Sequence, residues 1–392
     1  VTADGILRVY HQGDIAAEVP ASYLTDEVPL YVQSGVKPGY LKEVQSFDWR
    51  GLQEPDDYNA VVLKLLGSAN IGSRAWIWEQ FDSEAYSNIV LGPGADAAVI
   101  GVTGTNKGLA LTVDGNGRYA YLDPYVGGMI AVAEAARNLA VVGAEPLGMT
   151  DGLNLGNPER PEGYWQLEQV IEGMAAACRA LEIPVVGGNV SLYNEIDGHA
   201  IFPTPIVGMV GLLPDKLQHC KPGFNSEGDL VVLLGSNGNG LGGSEYLYII
   251  HKLETGRPPH LDLDRELRLH KLCRQAIAQG VLTSAHDVSD GGLVVAVAES
   301  CLLGVNRSIG AKIRLDLNGC RPDSVYFGEA QSRVIVSVAP DKLEELGQLA
   351  LKCGVPYAVL GQVGGGLLEV DDAISVPVAD LKRAFEEALS WL

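Results

Sequence analysis

Val185-Val-Gly-Gly-Asn-Val-Ser-Leu-Tyr-Asn-Glu195 reads as an apolar strand that stops in two glycines and then offers an amide, a hydroxyl and a carboxylate. Gly187 and Gly188 let a ligand approach bare backbone, which suits a phosphate or an adenine ring. Asn189 supplies a neutral oxygen for a hard cation, and Ser191 a hydroxyl for a ligand oxygen. Read alone, the stretch is equally a tight strand-to-turn connection with Asn189 as the turn residue. Its neighbours sharpen the choice. A strand over 146–150 delivers Asp151, the loop Gly152-Leu-Asn-Leu-Gly-Asn-Pro-Glu159 follows, a helix is predicted from Pro161, and 184–189 forms the next strand. If the two strands share a sheet, Asp151 and Asn189 are expected at one edge, converging on one metal-bound nucleotide. By itself, Asp151-Gly152 is also an ordinary turn.

The strand and helix signals continue outward. Strands are predicted over 97–102 and 109–113, and a helix opens at Asp123-Pro124, with aspartate as cap, proline at the first helical position and Gly143 as terminator. These segments make an α+β domain over 68–215. After a loop, the strand 230–234 runs into Gly235-Ser-Asn-Gly-Asn-Gly-Leu-Gly-Gly-Ser244. Helices over 244–251, 265–278, 293–303, 342–353 and 378–391, with strands over 332–338 and 357–362, make a second, α/β domain spanning 216–392. Residues 1–67 carry strand signals at 6–11, a Pro- and Gly-punctuated stretch over 34–59 and a short apolar helix ending near Leu66. They read as the tail of a preceding unit plus a linker. The opening at Val1, directly in a strand-like stretch, is what a piece of a longer protein would show.

Weaker candidates lie elsewhere. Asp114-Gly-Asn-Gly-Arg118 ends a strand with a carboxylate and adds an arginine suited to phosphate, although a plain turn reads as well. The loop 237–244 resembles a phosphate cradle but lacks the lysine of a P-loop. In His286-Asp-Val-Ser-Asp-Gly-Gly292, Asp290 is a candidate helix cap. Glu329 and Arg333 are candidates for a local ion pair.

Composition narrows the functional classes. With 49 acidic against 28 basic residues, the formal charge of -21 repels nucleic acid. A phosphorylated small molecule needs local help from Mg²⁺, backbone N–H groups or single arginines. The six cysteines form no CxxC pair, which argues against zinc and secreted disulfides and for a cytoplasmic setting. No apolar run of about 18 residues predicts a membrane span. Neither a GxSxG turn nor a glycine-flanked cysteine is present, so any glutaminase activity is expected elsewhere.

In order and spacing, Leu24-Thr-Asp-Glu27, Gly92-Pro-Gly-Ala-Asp-Ala-Ala98, Gly104-Thr-Asn-Lys-Gly-Leu-Ala110, Tyr121-Leu-Asp-Pro-Tyr125, Ala131-Val-Ala-Glu-Ala-Ala-Arg-Asn-Leu139, Gly188-Asn-Val-Ser-Leu-Tyr-Asn-Glu195, Gly242-Gly-Ser-Glu-Tyr246 and 286–292 form a specific set. The chain resembles the purine-pathway synthases of aminoimidazole-ribonucleotide-synthetase architecture, and within them the synthetase subunit, in its small form, of the phosphoribosylformylglycinamidine synthases. The resemblance is to the second of that synthetase's two homologous halves. It implies an N-terminal domain forming half of a β-barrel, then a C-terminal α/β domain. It also implies ATP at Asp151 and Gly188, Mg²⁺ at Asn189 and substrate at Ser191, with Asp114, Arg118 and Asp287 as lesser candidates. No catalytic residue is assigned, because the family's histidine belongs to the other half.

The resemblance also departs at one point. Cysteine after Asp114 and proline before Arg118 are expected, and the glycines found there predict a looser loop. The implied reaction is ATP-dependent amidation of formylglycinamide ribonucleotide. The implied partners are the N-terminal half, a glutaminase that supplies ammonia and a small bridging subunit, with self-association through the half-barrel face. Two alternatives share the architecture: a half that binds nucleotide only for structure, and a related ATP-dependent synthase or kinase. Asp287 and the Gly242-Gly243 loop would serve the structural role.

Overall fold

The computed structural model describes residues 2–81, 88–304 and 308–390. An exposed hairpin comes first, with β1 (Ile6–His11) antiparallel to β2 (Asp14–Pro20). The short helix α1 (Tyr40–Gln45) follows, then α2 (Tyr58–Leu66), capped by the Asp57 carboxylate accepting from the N–H groups of Asn59 and Ala60, and α3 (Ala75–Trp78).

The first sheet is built from β3 (Ile89–Leu91), β4 (Ala98–Gly101) and β5 (Gly108–Asp114), the helices α4 (Gly117–Leu122) and α5 (Pro124–Val141), β6 (Glu145–Asn154), α6 (Pro161–Leu181) and β7 (Val185–Ser191). A two-residue hairpin, β8 (Glu195–Ile196) and β9 (His199–Ala200), leads to β10 (Thr204–Leu213). The strand order is β3-β4-β5-β10-β6-β7, and only β6 and β7 run parallel, as the intervening α6 requires. One face is covered by α5 and α6, where Ala110, Met149, Val207 and Met209 join Ile130, Ala136, Leu139 and Val170 in one core. The other face is open. Leu111, Val113, Leu147, Val186 and Val210 are exposed on it, and the strict alternation in β5 and β10 shows why: period-two side chains put half of an apolar strand on each face. The sheet is half of a barrel.

The second sheet comprises β11 (Leu230–Leu234), α7 (Glu245–His251), α8 (Leu263–Ala278), β12 (Ser284–Asp287), α9 (Gly292–Leu302), β13 (Ala311–Ile313), α10 (Pro322–Tyr326), β14 (Val334–Val338), α11 (Leu343–Cys353), β15 (Tyr357–Val363), β16 (Leu367–Val370), β17 (Ile374–Pro377) and α12 (Val378–Glu386). Its order is β12-β14-β11-β15-β13-β16-β17. Along β11, β12 and β14 both faces are covered, while β13, β15, β16 and β17 leave part of one face exposed, as at Val359 and Leu367. Val231, Leu233 and Ile335 belong to a core with α9, while Val232, Leu234, Val334 and Val336 belong to another with α8 and α11.

Several expectations need correction. Helix α2, inside the stretch read as a linker, buries Val62, Leu65 and Leu66 in the core of the second sheet. Asp290 does not cap α9, because Gly291 takes that position at φ 80°. Glu329 and Arg333 do not pair: Arg333 donates to the carbonyls of Ala330 and Gly328, while Glu329 turns to other donors. Helix α12 is assigned through Glu386, short of Trp391, which lies outside the described residues.

Candidate functional site

The β6–α6–β7 unit brings the two leading stretches side by side at the rim of the first sheet, where β7 is the outer strand among the described residues. Asp151 is paired with Gly188, Gly152 with Asn189, and Asn154 with Ser191. Residues paired across neighbouring strands share a face, and successive residues alternate. Asp151 and Gly188 therefore face the helix layer, and Asn189 and Ser191 the open side. The packing agrees. A Cβ on Gly188 would run into the Asp151 carboxylate, whereas one on Gly152 would meet Asn189 Oδ1 at 3.5 Å. The two strands do share a sheet with α6 between them, but β6 continues to Asn154 beyond Asp151, so Asp151 and Asn189 flank the rim from opposite faces.

Burial raises the Asp151 carboxyl above its ordinary range. On the other side, Asn194 Nδ2 donates to the Ser191 carbonyl at 2.8 Å and to its hydroxyl at 3.2 Å, which holds the β7 terminus in place. Gly187 and Gly188 are exposed, and a Cβ on Gly187 would have only Thr150 Oγ1 within reach, at 3.9 Å. The rim therefore presents bare backbone between an acceptor on one side and an amide and a hydroxyl on the other.

The lesser candidates assemble elsewhere, between the two sheets. Asp114 accepts from Gly115 N–H at 2.6 Å and from Asn138 Nδ2 at 3.1 Å. Burial, then the charges of Asp287 and Asp290, push it up to about 8. Arg118 is buried. It donates to the Gly243 carbonyl at 3.0 Å and to Glu245 Oε2 at 2.5 Å, with its guanidinium 4.8 Å from the Tyr248 ring. It is therefore already paired internally with Glu245. Asp287 is held by Arg137, a wholly buried arginine that also bonds Glu266 at 2.6 Å and Gln331 at 3.0 Å. The loop Gly115–Gly117 is not loose. A Cβ on Gly115 would collide with the Pro205 carbonyl, and one on Gly117 would come within 2.9 Å of Thr204 Oγ1.

The structure gives several residues partners that sequence reasoning did not foresee. His286 Nδ1 lies 3.0 Å from both oxygens of Asp96, and its Nε2 lies 3.2 Å from Glu299. Glu329 accepts from the N–H groups of Glu245 and Gly291 at 2.7 Å each, and from Tyr119. Burial pushes Glu329 up to about 8 and Asp290 to about 6. Asp96 falls inside the quoted stretch Gly92–Ala98, but nothing local marks it, because its partner lies 190 positions away. Beside this cluster a cavity of about 500 Å³ is lined by Asn70, Arg74, Asn116, Arg118, Glu245 and Asp290 among others. Perturbed carboxylates gathered beside a cavity are a mark of functional sites and also of structural ion networks. The bonds of Asp287 to Arg137 and of Glu329 to three donors favour the structural role.

Comparison with known proteins follows the same division. Residues 94–213 match the N-terminal domain of AIR synthase related proteins, and residues 226–371 match the C-terminal domain. The phosphoribosylformylglycinamidine synthase subunit PurL of Moorella thermoacetica is 52% identical over 370 residues, covering 94% of this chain and 50% of that protein. The corresponding subunit of Caldanaerobacter subterraneus subsp. tengcongensis is 44% identical over 395 residues, covering 100% of this chain and 53% of that one. The chain thus spans about half the length of the curated relatives it matches. Among solved structures, T. maritima PurL complexed with FGAR superposes with a TM-score of 0.68 at 18% identity, over 86% of this chain and 55% of that one. A half-barrel sheet followed by an α/β unit, with matches over both units, gives the conclusion that the chain belongs to the AIR synthase related proteins.

Proposed function

We propose that this chain is the second half of the synthetase of a phosphoribosylformylglycinamidine synthase. That enzyme uses ATP to convert formylglycinamide ribonucleotide to formylglycinamidine ribonucleotide. The observation that carries the reading is the 52% identity to a PurL subunit, sustained over 94% of the chain. In the reaction, the amide oxygen of the substrate takes the γ-phosphoryl group, ammonia adds to the activated carbon, and phosphate leaves with that oxygen. Such chemistry relies on positioning and on donors aimed at developing negative charge.

The rim of β7 suits a ligand that crosses the strand. On the helix side Asp151, an acceptor, takes a donor of the nucleotide such as its amino group or a ribose hydroxyl, since it would repel phosphates. The phosphates pass over the bare backbone at Gly187 and Gly188, and the substrate meets the Ser191 hydroxyl on the open side. Asn189 is the residue assigned to Mg²⁺. Among the described residues no group of three or more His, Cys, Asp or Glu side chains is placed to hold a metal ion. Asn189 therefore contributes a single oxygen, and the donor set does not form a complete site by itself.

The open apolar face calls for a covering sheet, which the other half supplies, and a glutaminase with a small bridging subunit completes the assembly. We place the assembly in the cytoplasm, in keeping with six unpaired cysteines, and no described helix is long and apolar enough to cross a membrane.

The test is formylglycinamidine-ribonucleotide formation from ATP, substrate and ammonium salt. Turnover is expected only when the chain is joined by the other half, and robust turnover by the chain alone would overturn the assignment. Glutamine hydrolysis by the chain would contradict the separate glutaminase.

A further inference from the structure

A groove away from the β7 rim runs against the charge of the whole molecule. Acidic residues outnumber basic ones 49 to 28 in the chain. Yet a cavity of about 560 Å³ beside α1 is lined by Lys37, Lys42 and Arg257, with no carboxylate among the described residues that line it. A second cavity of about 370 Å³ shares Ser46 and Arg257 with it and adds Arg50 and His260. Asp48, the one carboxylate among the described residues lining that second cavity, is already paired with Arg50 at 3.1 Å.

Long-range bonds build the walls. Gly256 N–H donates to the Val44 carbonyl at 2.8 Å, and Gly243 N–H to that of Thr255 at 2.9 Å. A Cβ on Gly242 would collide with the Arg257 backbone, so the glycine-rich loop allows the Arg257 turn to press against α1. From the other end, Val36 N–H donates to the Pro161 carbonyl at 2.9 Å, and the Lys37 ammonium lies 5.9 Å from the Trp165 ring. These contacts set the backbone around one groove, which three exposed basic side chains line. Like charges gathered in this way repel unless an anion joins them.

We infer that the groove between α1 and the Arg257 turn binds a phosphate-bearing small molecule, its anionic group between Lys37, Lys42 and Arg257 and its organic part toward Phe47 and Trp49, which line the second cavity. The two volumes together suit a ligand of nucleotide size. An acidic protein segment would call for a longer basic surface than this short groove offers. The inference is independent of the proposed reaction.

Isothermal titration of the purified chain with pyrophosphate, AMP and ATP tests it, with the melting temperature of each variant as a check on folding. Saturable pyrophosphate binding is expected, weakened about tenfold by Arg257→Ala and further by adding Lys42→Ala, since a charge-assisted hydrogen bond contributes roughly that factor. Arg257→Lys should recover part of the loss. AMP binding more weakly than ATP through the same residues would identify the polyphosphate as the determinant, and equal affinities the monoester. Three results would overturn the site: no saturable binding, binding lost in Asn189→Ala but intact in the Arg257 and Lys42 variants, or tighter binding of a poly-glutamate peptide through the same residues.

Discussion

The rim of β7 and the carboxylate cluster between the sheets hold the same kinds of side chain in opposite settings. At the rim, Gly187 to Val190 are exposed and Asp151 is only partly buried. In the cluster, Arg137, Glu266 and Glu329 are almost wholly buried, and Asp287 is held by Arg137. Groups at the rim keep donors and acceptors free for a ligand. Most groups in the cluster are already paired, although Glu245 Oε1 is buried without a hydrogen-bond partner, so a ligand entering there would compete with bonds that join the two sheets. The difference separates a place where function is expected from one where polar chemistry maintains architecture.

The largest effect should come from removing the centre of the cluster. Arg137→Met leaves Asp287 and Glu266 buried without their cation, and such a loss costs about 3–5 kcal/mol. Urea unfolding measures it. Adding Asp287→Asn and Glu266→Gln should restore part of the stability, and a drop below about 1 kcal/mol for the single variant would remove the cluster's structural role.

A smaller effect follows from protonation. Asp114 and Glu329 carry folded-state values of about 8, above their unfolded values, so the folded protein holds protons that the unfolded chain releases. Their contribution is fully present below about pH 4 and is lost as pH rises toward 8. Stability should therefore fall by about 1–3 kcal/mol between pH 6 and 8, and Asp114→Asn should flatten that slope. Glu266, held down to about 2, acts in the opposite sense and only in acid, where its contribution disappears as pH falls through that value. A profile that rises from pH 6 to 8 would contradict the assignment.

The smallest stability effect belongs to the rim. Asp151→Ala and Asn189→Ala should each shift stability by no more than about 0.5–1 kcal/mol, since neither residue supports a core. In a complete synthetase they should nevertheless weaken Mg-ATP use. Unchanged ATP kinetics in both variants would erase the contrast between rim and cluster.

Much of the framework is legible in the amino-acid sequence. Strand β11 has the bounds that its apolar run predicts, Asp123-Pro124 does open α5, and the order of β6, α6 and β7 follows from periodicity and caps. The rim stretch also stands out by its residue types. Its sequence does not show that Asp151 and Asn189 flank opposite sides of one strand. That depends on which positions face α5 and α6, and a register displaced by one residue would exchange the faces.

What the sequence by itself determined is therefore local: where most strands and helices lie, some of the residues that cap them, and which glycines leave backbone bare. These depend on dihedral preferences and on side-chain spacing within a few residues. The tertiary structure alone decided that Arg118 pairs with Glu245, that Arg137 joins Asp287 from 150 positions away, and that Lys42 and Arg257 line one groove. Desolvation and Coulomb interaction act through space, so their strength is defined only once the chain has folded.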